Sequence, residues 1–402
     1  MNASEALSDS VPPHVPADLI RDLDVYDLPG VNQDVFDAWK RISDDLPDIF
    51  YTPRYGGYWV INSAELLSEV WPDHQRFTST ESLGVPHIKE WVALPAEADP
   101  PDHANFRRPI NLAFSPKGVQ ALKGSARDLA IALIESFLPR GECDFMVDFS
   151  YHLPVQIFMQ TMGLPLSDRE WLLDRAQVLP RERDLEKRRQ ALQDIYGYLG
   201  GWIAKRRAAP GDDLLSRIIQ IEVGGRPITE TEILSESSLV LFGGMDTAAG
   251  SMGFIARFLA THEEHRRTLV AEPELIPTAV EELLRRHSVP ILGRRVREDM
   301  TFHGISMKAG DFVMLVTCLH GLDSRRWEDP LNVDFSRDTR SIMAFGSGIH
   351  KCPGANLART EIKIFLEEWL ARIPEFRIKP ESQSLTSSGN TMTVTNLILS
   401  WA

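Results

Sequence analysis

From Thr229 to about Ala260 the chain is written as one long helix, and from Ser238 onward its only charges are Asp246 and Arg257. Its start is explicit. Thr229 and Glu232 stand at the spacing of a capping box, in which each side chain satisfies a backbone N–H of the other residue. At about 1.5 Å per residue the element spans roughly 45 Å. A helix that long and that apolar belongs either in a bilayer or in the interior of a large protein. Asp246, mid-span among Gly, Ser and Thr, favours the second, so the chain is expected to be soluble and not membrane-inserted. Thr261 and Glu264 repeat the capping spacing, which predicts a new helix opening there.

The remainder can supply such an interior. Helical spacing of apolar residues recurs over Arg127–Leu138, Asp184–Arg207 and Asp213–Ile221. "GYWVINS" (Gly57–Ser63), the two runs of Met300–Val316 with their "HG" and "AG" turns, and the closing "TMTVTNLILSW" are strand-like, and Met300–Val316 reads as a hairpin. No internal repeat or long Gly/Ser linker divides the chain. The expected architecture is mainly α with minor β segments: a flexible tail over residues 1–12, then one domain over 13–402. With 402 residues, 43% of them hydrophobic, the core needs no staples. The three cysteines, Cys143, Cys318 and Cys352, lie far apart without CxxC or CxxH spacing, which speaks against a disulfide framework or a structural zinc site. A reducing cytoplasm suits them. The start "MNASEALSDSVPPHVPADLI" has neither the charge nor the apolar run of a signal peptide. A formal net charge of −14 argues against a general nucleic-acid binder, since phosphate contacts need a basic face, though it leaves room for a local basic patch.

One cysteine stands apart. "FGSGIHKCPGANLAR" (Phe345–Arg359) delivers Cys352 through glycines to the first turn of an amphipathic helix. Glycine permits positive φ or close approach of another body, and a helix start favours thiolate, with His350 and Lys351 adding positive potential. Plain burial, a nucleophile and a haem ligand are all open on these grounds; nothing nearby pairs a catalytic base with the thiol. Gly243 and Gly244, in "GGMDT" at the middle of the long helix, cost about 1 kcal/mol each relative to alanine. Their presence points to close packing or to a ligand against the backbone.

Phe345-x-x-Gly348-x-x-x-Cys352-x-Gly354 resembles the haem-binding signature of the cytochrome P450 family, and three further motifs follow in that family's order. They are His103-x-x-x-Arg107, the Gly243–Thr247 stretch, and Glu282-Leu-Leu-Arg285. The resemblance implies that haem b is bound with Cys352 as the axial iron ligand. It further implies that Phe345, Gly346 and Gly354 shape the loop against the porphyrin. His103, Arg107, Arg294 and His350 would hold the propionates, with Arg108 exposed. Glu282 and Arg285 would form a buried pair joined by Arg337. The long helix would open locally at Gly243–Thr247, where dioxygen binds, with Thr247 holding a water or donating to the reduced oxygen and Asp246 relaying protons from solvent.

"PPHVPADLI", Gly225–Thr229, Phe302–Gly304, "DFSR" and "EWLARIPEF" resemble more narrowly the soluble bacterial class I branch of camphor 5-monooxygenase type. That resemblance places Trp91, Leu239, Phe242, Gly243, Val289, Leu292 and the region Thr391–Val394 around the substrate. These are mostly apolar, which implies a small hydrophobic molecule held by shape. Camphor-type enzymes hold a ketone with tyrosine where this chain has Trp91, whose indole N–H can still donate. The implied reaction is insertion of one oxygen atom from O2 into an unactivated C–H bond of a terpenoid or norisoprenoid, ionone-like or monoterpenoid. Electrons would come from NAD(P)H through a flavin ferredoxin reductase and a [2Fe–2S] ferredoxin. A basic spot of Arg107, Arg108, Lys351 and Arg359 suits an acidic ferredoxin, and nothing points beyond a monomer. The readings standing against this are a peroxide-driven enzyme or isomerase of the same fold, action on a fatty acid or other lipophile, and a non-enzymatic haem sensor or carrier.

Overall fold

The computed structural model describes residues 11–85, 87, 91–178, 182 and 184–401; of the tail expected over residues 1–12, residues 1–10 lie outside these. The long helix is Glu230–Thr261, and its cap forms as the spacing requires. Thr229 Oγ1 accepts the Glu232 N–H at 3.3 Å, and Glu232 returns a carboxylate oxygen to the Thr229 N–H at 2.8 Å. Arg226 holds the same carboxylate at 2.6 Å and, with the threonine donors, lowers its pKa to about 2. From Met245 to Ala256 every residue except Thr247 is buried. Among the described residues this is the one helix long and apolar enough to cross a membrane, and most of that apolar stretch lies inside the protein.

Helices wrap this spine. Pro116–Phe137, His152–Met162 and Ala355–Arg372 pack together near it, with Phe137, Phe145, Phe149, Phe365 and Trp369 in ring contact at 5.1–5.9 Å. The 127–138 pattern is thus the second half of a longer helix. Leu185–Ala208 and Leu214–Ile219 start on the side-chain caps of Asp184 and Asp213, which accept the N–H groups of Glu186 (2.9 Å) and Ser216 (2.7 Å).

Two local expectations need correction. Thr261 caps nothing: the next helix, Glu263–Ala271, follows His262, and Thr261 Oγ1 turns back to the carbonyls of Arg257 and Phe258, both at 3.0 Å. A threonine still inside a helix finds those carbonyls before it finds the next helix's N–H groups. The hairpin is confined to Met300–Phe302 and Ile305–Met307, while Phe312–Val316 leaves it for the centre of a five-stranded sheet. There it runs parallel to Tyr58–Ile61 (Met314 opposite Val60) and antiparallel to Ile291–Val296 (Val313 opposite Arg294). All five residues of Phe312–Val316 are buried, so a strand covered on both faces outcompetes the local turn signal. Ile49–Thr52 and Phe77–Thr78 form the sheet's edges. The C-terminal run divides into Thr393–Asn396 and Ile398–Ser400, which join two smaller sheets.

Glu282 and Arg285, one turn apart on Ile276–Arg286, have side chains with 0% exposure. The carboxylate takes Arg285 Nε at 2.7 Å and Nη2 at 2.8 Å, Arg337 Nε at 3.2 Å and the Asp334 N–H at 3.1 Å. Arg285 also donates to the carbonyls of Pro330 (2.9 Å) and Asn332 (3.0 Å), over the Trp327 ring. Every lone pair and proton of a buried ion pair must be met in this way. Glu282→Ala leaves Arg285 without its counter-charge. It is expected to destabilise the protein by about 3–5 kcal/mol, read by urea denaturation followed by circular dichroism.

Candidate active site

One cavity gathers nearly all the residues singled out in the sequence. Arg107, Asp246, Thr247, Arg294, Phe345, Gly346, His350, Cys352 and Gly354 line it, as do all of Trp91, Leu239, Phe242, Gly243, Val289 and Leu292. Its floor is the loop before Ala355–Arg372. Cys352 opens onto the cavity from this loop, and its N–H donates to the Phe345 carbonyl at 2.9 Å, which closes the loop on itself. The Phe345 ring lies 4.5 Å from the Arg359 guanidinium, itself paired to Glu281 at 2.9 Å.

Two of the loop glycines are also constrained from the protein side. Gly346 and Gly348 have φ of +67° and +68°, and a Cβ there would meet Trp71 at 2.6 Å and Pro72 at 2.7 Å. Their constraint is backbone conformation and packing on the protein side. Gly354, the third, faces the thiol, its Cβ position 3.8 Å from Cys352 Sγ. Nor is the thiol governed by the helix start alone. Desolvation raises the Cys352 pKa against the opposing pull of the Gly354 N–H, Arg107 and Arg359. His350 adds no positive charge: burial, then Arg294, His103 and Arg107, depress its pKa to about 2.

The long helix forms the opposite wall, unbroken across Gly243–Thr247, so the expected local opening is absent. The two glycines divide the explanations that the sequence left open. A Cβ on Gly244 would sit 2.4 Å from the Phe158 ring, whereas one on Gly243 meets nothing within 4 Å. Gly244 is close packing; Gly243 leaves room in the cavity. Asp246 is buried, and Thr247 donates to the Gly243 carbonyl at 2.9 Å.

At one flank, three buried nitrogens lack hydrogen-bond partners among the described residues: His103 Nε2, His350 Nδ1 and Arg294 Nη2. The two imidazoles lie 4.4 Å apart, centre to centre. Ser79 Oγ meets His350 Nε2 at 3.0 Å, and Arg294 Nη1 donates to the Gly293 carbonyl at 2.7 Å. Burial, then Arg107, lowers the His103 pKa to about 4, and burial lowers that of Arg294 to about 10. Arg107 donates to Asn111 at 3.0 Å and to the Lys351 carbonyl, while Arg108 is exposed as expected. Buried donors left without acceptors are costly. The carboxylates of a haem fit them, and the cavity between Cys352 and Gly243 offers its ring a place. The residues present therefore fit that cofactor.

Two expectations about the upper pocket change. Trp91 spends its indole N–H on Ser238 Oγ at 3.3 Å and packs edge-on to Phe242 at 5.4 Å, so it offers a wall and no donor. Of Thr391–Val394 only Thr391 reaches the cavity. It is brought there by the bridge Pro290–Thr391 and by the bond from the Met392 N–H to the Val289 carbonyl, 2.9 Å. Sequence reasoning missed Glu361, a cavity-lining carboxyl that burial raises to about 8. Its signal was there: with Leu357, Ile364 and Phe365 it shares the buried face of Ala355–Arg372, where an acid is out of pattern.

Comparison with known proteins agrees with this construction. The family model for cytochrome P450 matches residues 158–398. The chain is 35% identical to the probable cytochrome P450 127A1 of Sinorhizobium fredii, over 98% of this chain and 97% of that one. It superposes on the crystal structure of CYP101J2 with a TM-score of 0.89 at 37% identity, covering 98% and 99% of the two chains. On CYP101C1 the TM-score is 0.88 at 38% identity, covering 98% and 100%. A thiol loop facing a glycine-cleared helix, with orphaned donors beside it, on a scaffold shared over nearly its whole length, makes the chain a member of the cytochrome P450 family of haem-thiolate monooxygenases.

Proposed function

We propose that the protein hydroxylates a small hydrophobic terpenoid or norisoprenoid, ionone-like or monoterpenoid, in the cytoplasm and as a monomer, within one domain over 13–402. The observation that carries the site reading is the convergence of three partnerless buried nitrogens, His103 Nε2, His350 Nδ1 and Arg294 Nη2, beside the cavity that Cys352 and Gly243 share. Bound haem supplies dioxygen activation and accepts electrons one at a time. Cys352 is the residue that would ligate its iron, and His103, Arg107, Arg294 and His350 those that would hold its carboxylates.

The remaining steps belong to the chain. Thr247 gives its proton to the Gly243 carbonyl, which leaves its oxygen lone pairs to hold a water at the reaction centre. Asp246, buried on the neighbouring position, carries protons inward to that water. Leu239, Phe242, Val289 and Leu292 exclude bulk water and grip an apolar substrate through its shape. With the Trp91 N–H engaged, a ketone has no donor there. This favours a substrate oriented by packing and separates the pocket from a camphor-type one.

For electron delivery we propose a [2Fe–2S] ferredoxin with its flavin reductase and NAD(P)H. Arg107 and Arg359 are tied down by Lys351 and Glu281, so Arg108 and Lys351 remain as the exposed cations of the basic spot. Leu112, 61% exposed one turn beyond Arg108, gives that surface an apolar contact.

Four measurements follow. The carbon-monoxide difference spectrum of the reduced protein should show the thiolate-type Soret band in the wild type and lose it in Cys352→Ala; a wild type without the band removes the whole reading. Asp246→Asn should lower substrate-coupled NADH consumption, with ferredoxin and reductase present, by about a hundredfold. Peroxide alone should drive no turnover of the wild type; turnover by peroxide and indifference to Asp246→Asn would favour the peroxide-driven reading. Titration with ionones and monoterpenoids should shift the iron toward high spin, while a response only to fatty acids or macrolides sinks the substrate assignment.

A further inference from the structure

Glu97 has no part in the chemistry above, yet it is a carboxylate with only 4% of its surface exposed. One oxygen accepts the Leu83 N–H at 2.7 Å and stands 3.2 Å from His87 Nε2; the other accepts the Ala93 N–H at 2.8 Å. The Glu97 N–H in turn donates to the Ala93 carbonyl at 2.9 Å. A carboxylate leaves water only where donors replace its hydration. Here those donors come from three separated points of the chain ahead of it, so a single side chain fastens Leu83, His87 and Ala93 together.

What these points frame is Trp91. Trp91, Ala93, Ala191 and Leu192 form a small buried cluster distinct from the main core, against which Leu239 and Phe242 pack. The cluster's own ties to the long helix are weak: the Trp91 N–H to Ser238 at 3.3 Å and the Leu94 N–H to Ser235 at 3.4 Å. Nearby, the Val85 N–H reaches Asn390 Oδ1 at 3.1 Å. The strong, charge-assisted contacts converge on Glu97.

We propose that Glu97 is a positioning residue: its carboxylate fixes Leu83, His87 and Ala93 so that Trp91 stands as a rigid wall of the cavity, which sets the size and shape of the molecule admitted. This rests on reading the cavity as the haem and substrate pocket. Glu97→Gln keeps the shape but turns one acceptor into an N–H, which then faces a backbone N–H. The wall loosens while the cysteine loop, on the other side of the cavity, is untouched.

The test uses the haem-loaded protein and two iron-binding probes followed by the Soret band. Imidazole is too small to need the wall, whereas 4-phenylimidazole packs on it. Glu97→Gln should weaken 4-phenylimidazole by about tenfold or more, leaving imidazole and the carbon-monoxide band unchanged. In a Trp91→Ala background the same substitution should have no further effect on either probe. His87→Ala, which removes one donor and leaves both backbone contacts, should weaken 4-phenylimidazole by a smaller factor, and it decides the matter alone if Glu97→Gln does not fold. Equal weakening of both probes, a tighter 4-phenylimidazole, or an effect undiminished without Trp91 overturns the proposal. A wild type whose Soret band neither probe moves overturns the reading of the cavity itself, and the proposal with it.

Discussion

A carboxylate withdrawn completely from water is the constraint on which the rest of this structure hangs. Glu282 is tolerated in the interior because Arg285, Arg337 and the Asp334 N–H surround it, and Arg285 because the carbonyls of Pro330 and Asn332 meet its remaining protons. Satisfying one buried charge therefore dictates the path of the chain from Pro330 to Arg337. That stretch leads directly to Phe345 and the cysteine loop. The loop's orientation is then set by protein packing, with Gly346 pressed on Trp71 and Gly348 on Pro72. The thiol is thus presented by a loop whose course is fixed by packing against Trp71 and Pro72.

The long helix supplies the complementary constraint. It is buried almost throughout from Met245 to Ala256, and its neighbours leave no slack: Gly244 admits the Phe158 ring, and a Cβ on Gly253 would collide with Met146 Sδ at 2.5 Å. Gly243 alone of the central pair opens onto empty space. Tight packing on one side and clearance on the other follow from two adjacent residues pointing about 100° apart around the helix. The same geometry puts Asp246 and Thr247 in line with the clearance.

Much of this was legible in the sequence because the signals were local or family-wide. The capping box at Thr229, the Glu282–Arg285 spacing and the cysteine loop each bind residues a few positions apart, where helix geometry leaves little choice. What was not legible depended on distant partners. Phe312–Val316 looked like half of a hairpin, but its fate was decided by Tyr58–Ile61, some 250 residues earlier. Trp91 looked like a donor until Ser238 claimed its N–H. His350 looked like a cation, but its burial, and after that the charge on Arg294, depresses its pKa to about 2. Glu97 carries no motif at all, since its three partners are two backbone N–H groups and a histidine at irregular spacing.

The neutrality of the two imidazoles sharpens the electrostatics of the proposed cofactor cradle. With His350 depressed to about 2 and His103 to about 4, neither carries charge near neutral pH, whereas Arg294, at about 10, keeps its own. Arg107 is likewise lowered by burial but remains a guanidinium. The flank therefore presents two cations and two neutral imidazoles, with the Asp99 carboxylate near enough to act on His103 and Arg294. Two carboxylates need two positive charges for balance and further N–H groups for their remaining lone pairs. Four charged groups would overshoot that need and repel one another in the interior; four neutral ones would leave buried anions uncompensated. Because the imidazole pKa values are depressed partly by the arginines themselves, a carboxylate bound among them would oppose that depression and raise both.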